Sequence, residues 1–152
     1  MAQLVREATA DTDAEWCAKT SGSKGMQLYA AVRDGRTADE TREQMRSLAE
    51  QLEREHAELV VSRMTKALRP GKVLMDWSQN NAAKTTISVY SLRARARPTV
   101  STPVTWEEVD AGTAGRDPLV FTAPEVLERV ERLGDLFAPL LPATAKRRPR
   151  HR

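Results

Sequence analysis

Cysteine is almost missing from this 152-residue chain: Cys17 stands alone. That excludes a disulfide framework and a cysteine-based zinc site built within the chain. Long apolar runs are missing too. None approaches the roughly 20 residues that a helical membrane span needs, so no membrane span is expected. Met1 is not followed by a charged stretch and an apolar h-region, so a secretory signal is not expected either, and the cytoplasm is the default location. No internal repeat of 20–50 residues is visible. What is present can fold: a hydrophobic fraction of 40% supports a core, and the length suits one domain or one piece of a larger one.

The net charge of +3 conceals an asymmetry. Residues 143–152 (ATAKRRPRHR) carry Lys146, Arg147, Arg148, Arg150 and Arg152 and no acid, which leaves residues 1–142 slightly acidic, at about −2. Such a tail attracts phosphates by unspecific, salt-sensitive Coulomb forces. Read structurally, it is a solvated, disordered end or a linker stub.

Along the chain, residues 1–18 have few apolar anchors and are predicted as a poorly defined segment containing a short helix. Thr20–Gly25 is a small-residue loop, and Met26, Leu28 and Ala30 alternate as in a strand. Thr37 and Glu40 form a capping box for a helix over 38–58, with Thr41, Met45, Leu48, Leu52 and Leu59 on its apolar stripe. His56, near that helix end, reads as a packing or surface residue. Leu59–Val61 is an apolar link to a helical turn ended by Pro70-Gly71. Val73–Met75 reads as a short central strand, apolar on both faces, and Lys84–Leu92 as an alternating β-branched strand. Two more capping boxes, Thr105/Glu108 and Thr122/Glu125, open helices; the second turns Val126, Leu127, Val130 and Leu133 inward and stops at Gly134. Strands interleaved with helices predict an α/β (α+β) domain, a mixed β-sheet flanked by helices.

Three features could carry chemistry. Asp76 follows an apolar strand, at the sheet rim where open α/β sheets place ligands; equally, it could cap the turn Trp77–Asn80. The Ser21-Gly-Ser-Lys-Gly25 loop offers hydroxyls, amides and Lys24 to a phosphate, although it lacks the spacing of a Walker A loop. Arg69, Lys72, Lys84, Arg93, Arg95 and Arg97 bracket Asp76 with positive charge, which suits an anionic substrate with a metal between; the alternative is an ordinary basic surface. Asp11 and Asp13 mimic a carboxylate pair on one strand face, but TADTDAE has no strand character, and too few residues separate it from Ser21 for a parallel crossover.

Taken jointly, KTSGSKG at 19–25, TKALRPGKVLMDWSQN at 65–80 and KTTISVYSLRARARPTVSTPVTWEEV at 84–109 closely resemble the polymerase domain of bacterial ATP-dependent DNA ligase D. That family belongs to the archaeo-eukaryotic primase-type polymerases of non-homologous end joining. The resemblance covers residues 19–141 and corresponds to the C-terminal portion of such a domain, with 142–152 as a basic tail. It implies a metal-dependent nucleotidyltransferase working with Mn²⁺ or Mg²⁺, an NTP or dNTP and DNA ends, in a bacterial cytoplasm near the nucleoid. Asp76 matches the third metal carboxylate of the catalytic site. Ser21, Lys24, Arg69, Gln79 and Arg93 match nucleotide-binding positions.

Two departures qualify the expectation of activity. The family motif SGSKGxH has His where this chain has Gln27, which can donate a hydrogen bond but cannot become a cation. The family also places a D-x-D metal pair some thirty residues before SGSKG, ahead of Met1 here. Since two-metal transfer uses several carboxylates, the chain alone is expected not to polymerise unless a partner chain, carrying the N-terminal part of a polymerase domain or belonging to a ligase, supplies them. The other readings are a non-catalytic DNA-binding remnant using the tail and Arg93–Arg97, and a degenerate gene fragment.

Overall fold

The computed structural model describes residues 1–113 and 119–142; the expected basic tail at 143–152 lies outside them. The chain forms two compact units, Met1–Asp13 with Val32–Thr86, and Ala14–Ala31 with the chain from Ile87 onward. Helices and short strands, paired both parallel and antiparallel, make a mixed α/β architecture in which the β structure is shared among three small sheets.

The first unit is organised by a helix. After α1 (Ala2–Ala8), α2 spans Ala38–Glu55 and begins at the expected capping box: the Thr37 hydroxyl accepts from the Glu40 amide at 3.2 Å, and the Glu40 carboxylate accepts from the Thr37 amide at 2.8 Å. Leu48, Ala49 and Leu52 are buried, with Thr41 and Met45 half-buried on the same face. The helix stops three residues before the expected end. His56 caps it, and Leu59 falls outside it, 42% exposed. The expected link instead contains β3 (Val60–Val61), whose two valines are fully buried beside α2. It pairs in parallel with β4 (Val73–Leu74). The expected central strand at 73–75 is therefore corrected: β4 has one neighbour among the described residues and leaves Val73 exposed, while the buried position belongs to β3. Asp11 is exposed in a turn after α1 and Asp13 is exposed in the irregular stretch that follows, both off any strand.

The second unit is built on a strand that composition hides. β1 (Trp16–Thr20) is the middle of a three-stranded antiparallel sheet, flanked by β2 (Met26–Ala30) and β7 (Pro103–Val104). The segment expected to be poorly defined thus ends in a buried strand. Conversely, most of Lys84–Leu92 is not a strand. Tyr90 sits at φ 64°, a left-handed conformation that breaks a ladder, and only β5 (Leu92–Arg93) pairs, with β6 (Thr99–Val100). The Tyr90 hydroxyl donates to Asp135 at 2.8 Å. Both remaining capping boxes form, opening α3 (Trp106–Thr113) and α4 (Ala123–Leu133). On α4, Val126 is buried and Val130 and Leu133 are half-buried, but Leu127 is 67% exposed. Positions 126, 129, 130 and 133 share one helical face and 127 lies off it. The inward place goes to Arg129, which pairs with Glu108, donates to the Pro103 carbonyl at 3.1 Å and covers the Phe121 ring at 4.5 Å.

Candidate functional site

The second unit gathers cations around the 21–25 loop. Two strands of the sheet, β1 and β2, are joined by this loop, and the Ser21 amide donates to the Gly25 carbonyl at 2.8 Å to close it. The Ser21 hydroxyl oxygen accepts from the amides of Ser23 and Gly25, both at 3.2 Å. Those amides are therefore spent inside the loop, and the backbone cradle the sequence suggested is not open at Ser23 and Gly25. Gly22, at φ +65°, brings the loop against β5 and β6: a Cβ there would lie 2.7 Å from Arg93 Cγ and 3.0 Å from the Val100 carbonyl carbon. The Thr99 hydroxyl pins the same turn through the Gly22 carbonyl at 2.5 Å. Ser21, Lys24 and Arg93 are in this way brought to one end of one unit.

Their charges are not spent. Lys24 is exposed and Arg93 half-buried, and neither side chain makes a hydrogen bond or ion pair among the described residues. Arg95 donates to the Ser23 hydroxyl and adds a further cation beside the loop.

Beneath them lies a residue that sequence reasoning passed over. Lys19 is 1% exposed, and its ammonium donates to Gln27 Oε1 at 2.7 Å, the Ile87 carbonyl at 2.9 Å and Ser101 Oγ at 2.7 Å. All three acceptors are neutral. Burial, with the nearby charge of Arg93 adding, pulls the Lys19 ammonium down to about 8. The Tyr29 ring lies 5.6 Å from it. Lys19 opens the KTSGSKG string, and a lysine in a segment with no exposed alternation was the available signal.

Asp76, Gln79 and Arg69 belong to the first unit, where Asp76 stands at the head of a turn and its carboxylate bonds to side chains of that turn without a side-chain cap bond to its backbone. Asp76 is exposed and precedes the 3₁₀ turn Trp77–Gln79. Its Oδ1 accepts from the Ser78 hydroxyl at 2.6 Å and its Oδ2 from Gln79 Nε2 at 2.9 Å. Lys84 donates to Ser78 Oγ at 2.6 Å and extends the chain of bonds. Burial pushes the Asp76 carboxyl up, but the bonds from Ser78 and Gln79 and the charge of Lys84 outweigh it and hold the group below the usual aspartate range. The turn itself is anchored: Trp77 Nε1 donates to the Ser62 carbonyl at 3.0 Å, and Arg46 lies over the indole at 5.6 Å. Arg69 donates to the Met64 carbonyl and keeps a buried Nε without a partner. Lys72 donates to the Ala57 carbonyl at 2.5 Å. The basic residues that bracket Asp76 in sequence are thus divided, with Arg69, Lys72 and Lys84 in the first unit and Arg93, Arg95 and Arg97 in the second.

A resident divalent ion would draw on Asp76. Among the described residues no group of three His, Cys, Asp or Glu could hold a metal, and both Asp76 oxygens are already hydrogen-bonded. These residues alone do not fit a metal centre, because a hard divalent ion takes six or more oxygens and two-metal sites share several carboxylates. No helix among the described residues is long and apolar enough to cross a membrane.

The family model described as LigD, primase-polymerase domain, matches residues 1–137. The chain belongs to the LigD primase-polymerase family. It is similar to the multifunctional non-homologous end joining protein LigD of Mycolicibacterium smegmatis, 46% identical over 142 residues that cover 92% of this chain and 18% of that protein. To the bifunctional non-homologous end joining protein LigD of Bacillus subtilis it is 32% identical over 120 residues, 78% of this chain and 19% of that protein. Its structure is similar to that of the polymerase domain from Mycobacterium tuberculosis ligase D in complex with DNA, with a TM-score of 0.86 and 42% identity, covering 91% of this chain and 47% of that one. The chain therefore spans less than a fifth of those two curated LigD proteins and about half of the solved domain. The fold class and the family expected from the three sequence strings both hold.

Proposed function

We propose that the chain is a polyphosphate-binding part of an end-joining polymerase domain, one that engages a nucleoside triphosphate and DNA ends and does not polymerise by itself. The observation that carries this reading is the 21–25 loop packed on Arg93 with the Lys24 and Arg93 cations unpaired among the described residues. Unpaired cations held by a rigid turn are pre-organised for an anion, and each charge-assisted bond to phosphate is worth about 1.5–3 kcal/mol. Ser21 adds a hydroxyl whose oxygen is fixed by two amides. Arg69 and Gln79 are further nucleotide-binding candidates, and Asp76 is the candidate catalytic carboxylate. Nucleotidyl transfer would need further carboxylates for a divalent ion, from a chain carrying the rest of the domain or from a ligase partner. On this reading residues 19–141 are the domain, the basic 142–152 stretch holds DNA, and the protein works in the cytoplasm at the nucleoid.

Primer extension with Mn²⁺ and NTPs on the wild type and Asp76→Ala tests the catalytic half. No incorporation by either is expected; incorporation that the substitution removes would show a complete site and overturn the claim that the chain is inactive alone. DNA titration at two salt concentrations tests the rest. Affinity falling steeply with salt and indifferent to sequence is expected, and salt-independent binding would contradict it.

A further inference from the structure

We propose that Tyr90 is a positioning residue of the 21–25 loop site: a bulge built on its left-handed backbone decides that Arg93, and not Leu92, faces the loop. The inference deepens the polyphosphate reading and rests on it, because Arg93 is one of the two cations that reading uses.

The bulge is written in the hydrogen bonds around Ser101. The Tyr90 amide donates to the Ser101 carbonyl at 2.8 Å, while the Ser101 amide donates to the Ser91 carbonyl at 2.9 Å. Two residues of one strand therefore oppose one of the other, and the first of them is left-handed, at φ 64°. That is the arrangement of a G1 bulge, whose first position is ordinarily glycine. Tyrosine there is strained, because its Cβ crowds the following carbonyl, and such strain persists only where the surroundings hold it. Here they do. The Tyr90 hydroxyl donates to Asp135 Oδ1 at 2.8 Å, and the Phe137 amide donates to the same oxygen at 3.0 Å. The acceptor of this latch is thereby fixed just beyond the Gly134 cap of α4. Among the described residues Tyr90 is the one non-glycine position with a positive φ.

What the bulge sets is strand phase. Beyond it, Leu92 pairs with Val100 and Arg93 with Thr99. Directly opposed residues share a face, and the face of this pair is the loop's. Thr99 donates to the Gly22 carbonyl, and Arg93 Cγ lies 2.7 Å from where a Gly22 Cβ would stand. Leu92 takes the other face, 61% exposed. Without the extra residue, a ladder anchored at Tyr90 and Ser101 would set Ser91 against Val100 and Leu92 against Thr99. A slip of one residue exchanges the two faces of a strand, so Arg93 would turn away from the loop and a leucine would take its place. Tyr90 and its latch thus act on an anion through Arg93.

Glycine separates this role from that of a plain brace. The readout is titration calorimetry with metal-free GTP and with inorganic tripolyphosphate, well below the melting temperature. Tyr90→Phe keeps the ring and the strain and removes the latch, so affinity for both probes should fall about fivefold or more. Tyr90→Gly removes latch and ring together but lets the bulge form without strain, so affinity should stay within about twofold of wild type. A brace would give the reverse order, glycine losing at least as much as phenylalanine, and that result overturns the inference. Wild-type binding by Tyr90→Phe overturns it too. In an Arg93→Met background Tyr90→Phe should change nothing further; an undiminished loss there would mean that Tyr90 does not act through Arg93, and the inference fails. If Tyr90→Gly does not fold, Asp135 decides. Asp135→Ala, which removes the acceptor, should weaken binding as Tyr90→Phe does, and Asp135→Asn, which keeps one, should not; equal binding by the two overturns the inference. Arg93→Met by itself reports on the underlying reading. If it weakens both probes while Tyr90→Phe binds as wild type, only the role of Tyr90 is wrong. If wild type binds neither probe, or Arg93→Met binds both as wild type does, the polyphosphate reading is wrong, and the role of Tyr90 falls with it.

Discussion

The two units solve opposite electrostatic problems. In the first, Asp76 is satisfied by its immediate successors, two and three residues along, with Lys84 joined through Ser78 six residues further on. In the second, Lys19 reaches partners 68 and 82 residues away, and Thr99 pins Gly22 across 77. The carboxylate is a local, exposed, internally quenched group; Lys24 and Arg93 lie on a loop and strand held by long-range packing and are left unquenched among the described residues. A quenched charge is stable and waits for competition from a ligand, whereas unquenched charges already point at one. On the proposed reading, the positive unit is the one pre-organised for an anion.

Glycine offers the sharpest way to break this comparison. Gly22 and Gly71 share a left-handed conformation, φ +65° and +73°, but a Cβ at Gly22 meets Arg93 and the Val100–Ser101 backbone while one at Gly71 meets nothing within 4 Å. Gly22→Ala should cost about 3 kcal/mol or more in urea unfolding, and Gly71→Ala about 1 kcal/mol. Equal losses would mean that the loop is not pressed against Arg93.

Next in size is the pH dependence contributed by Lys19. Its folded-state value of about 8 lies below the 10.5 of an ordinary lysine. Below pH 8 both states are protonated and the folded state carries the full penalty of the buried charge. Between pH 8 and 10.5 the unfolded chain binds more protons, so stability rises with pH. From pH 8 to 10 the wild type should gain about 2 kcal/mol that Lys19→Met does not. The window closes above pH 10, where Tyr90, its hydroxyl pushed up by burial and by Asp135, begins to favour the unfolded state. A rise of equal size in the variant would show that Lys19 is not the titrating group.

Helix caps should behave alike in both units, because they are local in each. Thr37→Ala and Thr122→Ala each remove one reciprocal box, one from each unit, and should each cost about 1 kcal/mol by thermal or urea melts. A large disparity would show that one cap carries long-range packing as well. Smallest of all is Asp76→Asn. The group is exposed and its partners can turn to water, so stability should change by no more than about 0.5 kcal/mol; a larger loss would make Asp76 a structural keystone rather than a ligand in waiting.

The same division explains what was legible in the sequence. All three capping boxes and the 21–25 loop are written in residues within four positions of one another, and each formed as expected. What was misread is non-local. Trp16–Thr20 escaped because its buried positions include Lys19, which looks like surface until Gln27, Ile87 and Ser101 are folded around it. Val60–Val61 passed for a link because a strand of two residues carries no period, only burial. The alternation of Lys84–Leu92 was a true pattern defeated by one backbone conformation, at Tyr90. Leu127 was counted inward because apolar character was weighed above helical phase, and Arg129 holds the inward place through Glu108 and Phe121. The candidate site residues were assigned by resemblance, through long strings; Lys19 was passed over because its contacts are not written in a motif.

Titration of metal-free GTP by calorimetry, comparing Arg93→Met with Asp76→Asn, tests the central claim directly. Pre-organised cations predict a loss of about tenfold or more for Arg93→Met and an affinity within about twofold of wild type for Asp76→Asn. Unchanged binding by Arg93→Met, or an equal loss in both variants, would contradict the account.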